Sequence, residues 1–194
     1  MNLGRLFLRG VVGPLFVGHG TQKLFGWFDG HGLEGTGGFF GSLGLRPGKR
    51  HASAAGTAEA AGGVLLTLGA LTPVASTIIT GTMITAIRKV HLTKGPWVSD
   101  GGYEYNLALI AALAALTETG PGRPSVDGAL LPRFKGTGWA LAALAAGAAG
   151  SYLATERFSD PEPALAPQAA ADPELQSQPR FAREPGAVSA DQPA

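Results

Sequence analysis

At 194 residues, with 45% hydrophobic and 15% charged side chains and a formal net charge of +1, the chain has room for one ordinary domain with extensions. No basic stripe and no basic-aromatic interleaving is present, which sets nucleic acid aside as a partner. Cysteine is absent, so disulfides, thiolate metal sites, Cys-ligated iron–sulfur clusters and a CxxC redox pair are excluded.

The charged residues collect in a few segments, and the windows between them are built of Ala, Leu, Gly, Val, Ile and Thr. About 20 apolar residues are needed to cross a ~30 Å hydrocarbon core, and the windows are read as such spans. The first is Leu6–Phe28; no small-residue cleavage site follows its apolar run, so it is read as an uncleaved helix rather than a signal peptide. The Gly-rich stretch FDGHGLEGTGGFFGSLGLRPGKRH predicts a connector with room for a short interfacial helix. A second span is expected over Ala52–Leu71. The break Leu71-Thr72-Pro73 predicts a helical hairpin into a third span, Pro73–Leu92, with Pro73 suited to a first helical turn.

The loop TKGPWVSDGGYE leads to a fourth span, Tyr103–Thr119. Next, GPGRPSVDGALLPRFKG is too dense in Pro and Gly for regular structure. A fifth, Ala-rich span is expected over Thr137–Leu153. From Thr155 onward the composition turns to Pro, Ala, Glu, Gln and Ser, which predicts a disordered tail over 155–194. The organisation expected is therefore a four-helix membrane domain over 1–136, an additional transmembrane helix over 137–154, and the tail. Small residues such as Gly56 with Ala60, Gly62-Gly63, and Ala143 with Gly147 suit close helix packing in lipid. The fold class is all-α, a polytopic membrane bundle. Lys and Arg fall almost evenly on its two sides, so the positive-inside rule sets no orientation.

Ionisable groups at membrane depth cost ~2.5–3.5 kcal/mol each on insertion scales and face a bundle interior or a water-filled cavity. His19 and Lys23, four apart, share one helix face. Glu59 lies mid-span and must be neutral or paired with a cation such as Lys23 or Arg88. Arg88 and His91, three apart, lie near the end of the third span, and Glu104 opens the fourth. Each also has a plainer role: Lys23 can snorkel beside Trp27, Arg88 and His91 can mark a helix exit, and Glu104 complements a helix dipole. His19, Lys23, Glu59, Arg88, His91 and Glu104 are the candidate residues of one intramembrane polar pocket; no catalytic residue and no metal site is assigned.

His19-Gly20 with Lys23, Glu59 followed by Gly62-Gly63, Met83 and Ala86 ahead of His91, the run Gly101-Gly102-Tyr103-Glu104-Tyr105-Asn106, and Gly120-Pro121-Gly122 with Ser125 and Asp127 resemble, in this order and spacing, the DoxX family over Leu6–Asp127. The resemblance implies a four-helix integral membrane protein of the bacterial inner membrane. It further implies association with quinone-linked oxidoreductases of reduced sulfur compounds and with protection against oxidative stress. The fifth span and the tail lie outside it.

The function expected is a membrane subunit of a redox assembly, in contact with soluble or membrane redox partner proteins, with quinone as the cofactor. A quinone needs an apolar slot, donors to its two carbonyl oxygens and a route for protons. Haem ligation by His19 and His91 is a minor variant. The alternatives are a non-catalytic scaffold that docks soluble redox enzymes and, ranked last, a small-solute carrier.

Overall fold

The structure, a computed structural model, describes residues 2–160. Among them the chain is all-helical, with no strand. The α-helices are α1 (Leu3–Phe25), α2 (Gly32–Ser42), α3 (Gly48–Leu68), α4 (Thr72–Ala86), α5 (Glu104–Thr119), α6 (Val126–Leu130) and α7 (Thr137–Tyr152). The five expected spans fall on α1, α3, α4, α5 and α7.

Their ends follow local chemistry. Helix α1 stops at Gly26 and α3 at Gly69, both in the left-handed conformation (φ 74 and 58) that glycine adopts without a Cβ penalty. Pro73 sits in the first turn of α4. Beyond Ala86 the helical backbone does not stop: it widens into a π-turn over Ile87–His91 and tightens into a 3-10 turn over Leu92–Lys94. Helix α7 likewise runs on through a π-turn to Arg157.

Three expectations differ from what is found. No helix among the described residues is long and apolar enough to cross a membrane. The reason lies in the residues: α1 carries Arg5, Arg9 and Lys23, α3 opens on Lys49, Arg50 and His51, and the α-helical parts of α4, α5 and α7 are 15, 16 and 16 residues long. The Pro/Gly-dense segment after α5 contains the short helix α6, started by Ser125, whose hydroxyl accepts from the Gly128 N–H at 3.0 Å and donates to the Gly122 carbonyl. The segment from Thr155 is not tail at its beginning. The Thr155 hydroxyl donates to the Ser151 carbonyl (3.0 Å), and Asp160 N–H donates to the Arg46 carbonyl (2.8 Å), tying the end of α7 to the loop before α3. The rest of the expected tail, 161–194, lies outside the described residues.

Helices α1, α3, α4 and α5 share a core of Phe16, Leu66, Ile79, Met83, Leu109, Leu113 and Leu116. Helix α7 packs on α4 and α5 from outside this group, and α2 packs across the start of α3. Where α1 meets α3, Gly20 lies against Gly56 and Ala60, and Gly13 against Gly63 and Thr67. A Cβ on Gly20 would stand 2.5 Å from the Ala60 amide and from the Gly56 carbonyl oxygen, so these backbones approach only because no side chain intervenes. Gly62 meets Ile79 of α4, and Gly147 of α7 meets Thr80.

The polarity of this bundle is partly inverted. Arg9, Glu59, Thr72, Thr80, Asn106 and Asp127 are buried, while Leu3, Phe7, Val11 and Leu15, spaced four apart along α1, are exposed. Along α5 and α7 the outward residues Leu107, Ala108, Ala111, Leu141 and Ala145 are apolar as well.

Candidate functional site

The Lys23 ammonium and the Glu59 carboxylate meet at 2.6 Å between α1 and α3. Their side chains are 24% and 7% exposed, so the carboxylate is the more deeply placed partner. Of the two cations the sequence offered to Glu59, the fold selects Lys23, because the glycine contacts between α1 and α3 bring these backbones close. The pair lies on the wall of a cavity of about 630 Å³. His19 and His91 line the same cavity, with Asn106, Met83 and Lys89. Its apolar surface comes from Phe16 of α1, Phe39 and Phe40 of α2, and Leu43 and Leu45 beyond it.

Both histidines have their tautomers set by neighbours. The His91 Nδ1 lies 2.6 Å from the Gly101 carbonyl oxygen, which can only accept. Nδ1 therefore carries the proton, and in the neutral ring Nε2 holds the lone pair. The His19 Nδ1 is 3.2 Å from Gln22 Oε1. That amide is oriented by its own Nε2, which donates to the Phe28 carbonyl at 3.2 Å, so His19 Nδ1 also donates and its Nε2 is also the acceptor.

Arg88 and Glu104 do not join this group. Arg88 lies on the α4 face toward α7, donating to Thr155 Oγ1 at 3.0 Å and to Glu156 Oε1 at 2.8 Å, with its guanidinium carbon 6.0 Å from the centre of the Tyr152 ring. The expected partnership with the pocket fails because α7 packs on that face of α4. Glu104 accepts from the Val98 N–H at 2.7 Å and so closes the loop before α5.

Lys89 and Asn106 were outside the candidate set. The sequence held a usable signal for Lys89, since Thr82, Thr85, Ala86 and Lys89 recur at helical spacing on one face and all of them line the cavity. Asn106 donates to the Met83 sulfur at 3.3 Å, a contact between two helices that no spacing announces. Among the described residues no group of three or more His, Asp or Glu is placed to hold a metal ion.

A second polar cluster sits at the other end of the bundle. Asp127, 2% exposed, accepts from the amides of Leu71 (2.7 Å) and Thr72 (2.7 Å) and from the Thr72 hydroxyl (2.6 Å). It caps α4 from 55 residues away and holds Leu71 in a left-handed conformation (φ 47) that an L-residue adopts at a cost of about 1–2 kcal/mol. Arg9, 1% exposed, donates to the carbonyls of Thr67 (2.8 Å) and Pro124 (2.6 Å). These contacts tie α1, α3, α4 and the α6 segment together and have no opening onto the cavity.

Glu156 illustrates the electrostatics at the exposed end of α7. The Thr155 hydroxyl, and after it the charge of Lys89 at 3.4 Å, hold its carboxyl below the usual Glu range. A depressed carboxylate contributes stability that is complete above its unfolded pKa and is lost as pH falls through the folded one. An NMR titration of the Glu156 carboxyl is expected to show a midpoint below that of an unperturbed Glu, and Lys89→Met should move it upward; an unchanged midpoint would refute the Lys89 contribution.

A model of the DoxX family matches residues 4–92. Over 116 residues, 60% of this chain and 80% of the relative, the sequence is 36% identical to the Bacillus subtilis (strain 168) protein named "Putative oxidoreductase CatD". The chain belongs to the DoxX family. No solved structure matches it. The residues matched by the DoxX model include His19, Lys23, Glu59, Arg88 and His91, whereas α5, α6 and α7 lie beyond them.

Proposed function

We propose that this DoxX protein is a bilayer-embedded subunit of a redox assembly of the bacterial inner membrane, and that its cavity receives a quinone head group. The observation that carries the reading is the Lys23–Glu59 pair on the wall of a largely apolar cavity, in company with His19 and His91. The volume of about 630 Å³ lies within the ~300–1,000 Å³ of small-molecule sites.

The residues fit such a group. Lys23 has three N–H donors and gives its short bond to Glu59, keeping a donor for a carbonyl oxygen. Asn106 spends its amide on a thioether, a weak acceptor that a ligand oxygen can replace. Glu59, in contact with Lys23, can hold a proton or pass one on, and His91 Nε2 can accept one. Phe16, Phe39 and Phe40 give the site apolar surface. A bound quinone would supply the two-electron chemistry that a cysteine-free chain lacks.

Support for bilayer embedding comes from the apolar outward faces of α1, α5 and α7 over a polar interior. It also comes from the unbroken helical stretch Thr72–Lys94, which exceeds its α-helical part and reaches the ~20 residues a span requires. With an electron acceptor added, membranes containing the protein in its redox assembly are expected to oxidise added quinol at least about tenfold faster than membranes containing His91→Ala or Glu59→Ala, the scale expected for removal of a general acid or base. Equal rates with the variants folded and present at equal level would refute the quinone reading.

A second reading, a scaffold with no chemistry of its own, is favoured by the Arg9–Asp127 cluster, where buried polar groups serve packing alone. Capture of redox proteins by wild type and by His91→Ala alike, with no quinol oxidation in either, is its expected signature.

A further inference from the structure

The cavity lining includes residues of α3, α4 and α7. Helices α3 and α7 both pack on α4 but make little contact with each other, and between them runs a slot floored by Ile78 and Thr82 of α4. Ala54 and Ala58 form one lip of the slot, and Ala146 and Gly150 the other. The lips reach the outer surface, since Ala54, Ala146 and Gly150 are exposed. At Gly147, α7 is pinned to α4: a Cβ there would meet the Thr80 methyl at 2.9 Å and the Thr77 carbonyl oxygen at 3.0 Å. One turn on, a Cβ at Gly150 would meet nothing within 4 Å, so that lip has room for a side chain.

Its chemistry is apolar although threonines line it. The hydroxyls of Thr77, Thr82 and Thr85 donate back to the carbonyls of Pro73 (2.9 Å), Ile79 (2.8 Å) and Gly81 (2.9 Å). The O–H groups of Thr77 and Thr82 are thus committed to the helix itself, and Thr85 also meets the Ser151 hydroxyl at 2.9 Å. The ion pair lies on the wall of the same cavity, so a ligand with a polar head beside Lys23 and Glu59 and an apolar chain finds the chain's path already shaped.

We propose that the ligand's apolar chain leaves the bundle through this slot, and that α7, which lies beyond the residues matched by the family model, sets which chains the site accepts. The proposal rests on the reading of the cavity as a quinone head-group site. Small side chains on both lips leave the width that a hydrocarbon chain needs, and Gly150 is where a larger residue closes it.

The test uses the full chain in detergent micelles and two probes with one benzoquinone head, one carrying a decyl chain and the other a methyl group. Gly150→Phe puts a ring at a lip of the slot, where a Cβ meets no protein atom within 4 Å. Gly10→Phe, on the exposed side of α1 where a Cβ also meets nothing within 4 Å, is the control. Gly150→Phe is expected to weaken binding of the decyl probe about tenfold or more, as for an overpacked contact, and to leave the methyl probe within about twofold. Gly10→Phe should change neither. Equal weakening of both probes, or undiminished decyl binding, overturns the exit path while the head-group site stands. Wild type that binds neither probe overturns the head-group site and the exit path with it.

Discussion

Lys23→Met is expected to destabilise the protein by about 3–5 kcal/mol, because it leaves the 7%-exposed Glu59 carboxylate without its cation. The carboxylate must then take up a proton, move toward solvent, or remain as an uncompensated charge, and each course costs free energy. Glu59→Gln should cost less. The Lys23 side chain is 24% exposed, and its four-carbon stem can carry the ammonium outward. Lys23→Met combined with Glu59→Gln is expected to recover most of the loss, since a buried ion pair gains little net stability over neutral groups of similar shape. Denaturation midpoints of the four proteins, compared as a double-mutant cycle, measure the coupling. Additive losses in the double variant would show that the 2.6 Å contact is not an energetic pair. The same double variant, folded but no longer supporting quinol oxidation by membranes that hold the assembly and its electron acceptor, would separate the role of these groups in chemistry from their role in stability.

The second large effect is expected at the opposite end of the bundle. Asp127→Ala removes a carboxylate that accepts three hydrogen bonds from Leu71 and Thr72, leaving buried amides unpaired and the strained Leu71 turn unsupported. It also takes away the negative charge that faces the fully buried Arg9. Hydrogen bonds to a charged acceptor contribute about 1.5–3 kcal/mol each, and breaking a buried charged cluster costs about 3–5 kcal/mol; a loss near the upper end of the second range is expected. Asp127→Asn keeps one acceptor oxygen and should lose roughly half as much. Hydrogen exchange localises the effect: the amides of Leu71, Thr72 and the first turn of α4 should lose protection before the α1–α3 contact does. A loss under about 1 kcal/mol would mean that solvent replaces the carboxylate and that the cluster is decorative.

The two clusters differ in what they do for the molecule. Asp127 and Arg9 hold groups of four segments together and do not line the cavity, which is the behaviour of a structural clasp. Lys23 and Glu59 satisfy each other but stand on a cavity wall with His19 and His91, whose acceptor nitrogens are Nε2. A ligand can exploit only the second arrangement.

Apolar windows between turn-forming residues were enough to place α1, α3, α4, α5 and α7, because helix formation and helix termination are local events. Pro73 in a first turn and Gly26 and Gly69 at helix ends are recorded in one or two neighbouring residues. Helix α6 escaped, since its Pro- and Gly-rich surroundings outweigh a single capping serine. The extension of α7 past Leu153 escaped because it depends on Arg88 and Lys89, which hold Glu156 from another helix.

The site was half legible for the same reason. Four-residue spacing puts His19 and Lys23 on one face, and the cost of an isolated buried carboxylate requires that Glu59 have a partner. Whether that partner was Lys23 or Arg88 lay beyond the sequence, as did the cap that Asp127 lends to α4 and the slot that α7 opens beside Gly150. Local spacing is written in the order of residues, whereas a contact between helices depends on which backbones come close. Here that was decided by glycines such as Gly13, Gly20 and Gly63, whose missing side chains bring α1 against α3 and bring Lys23 to Glu59.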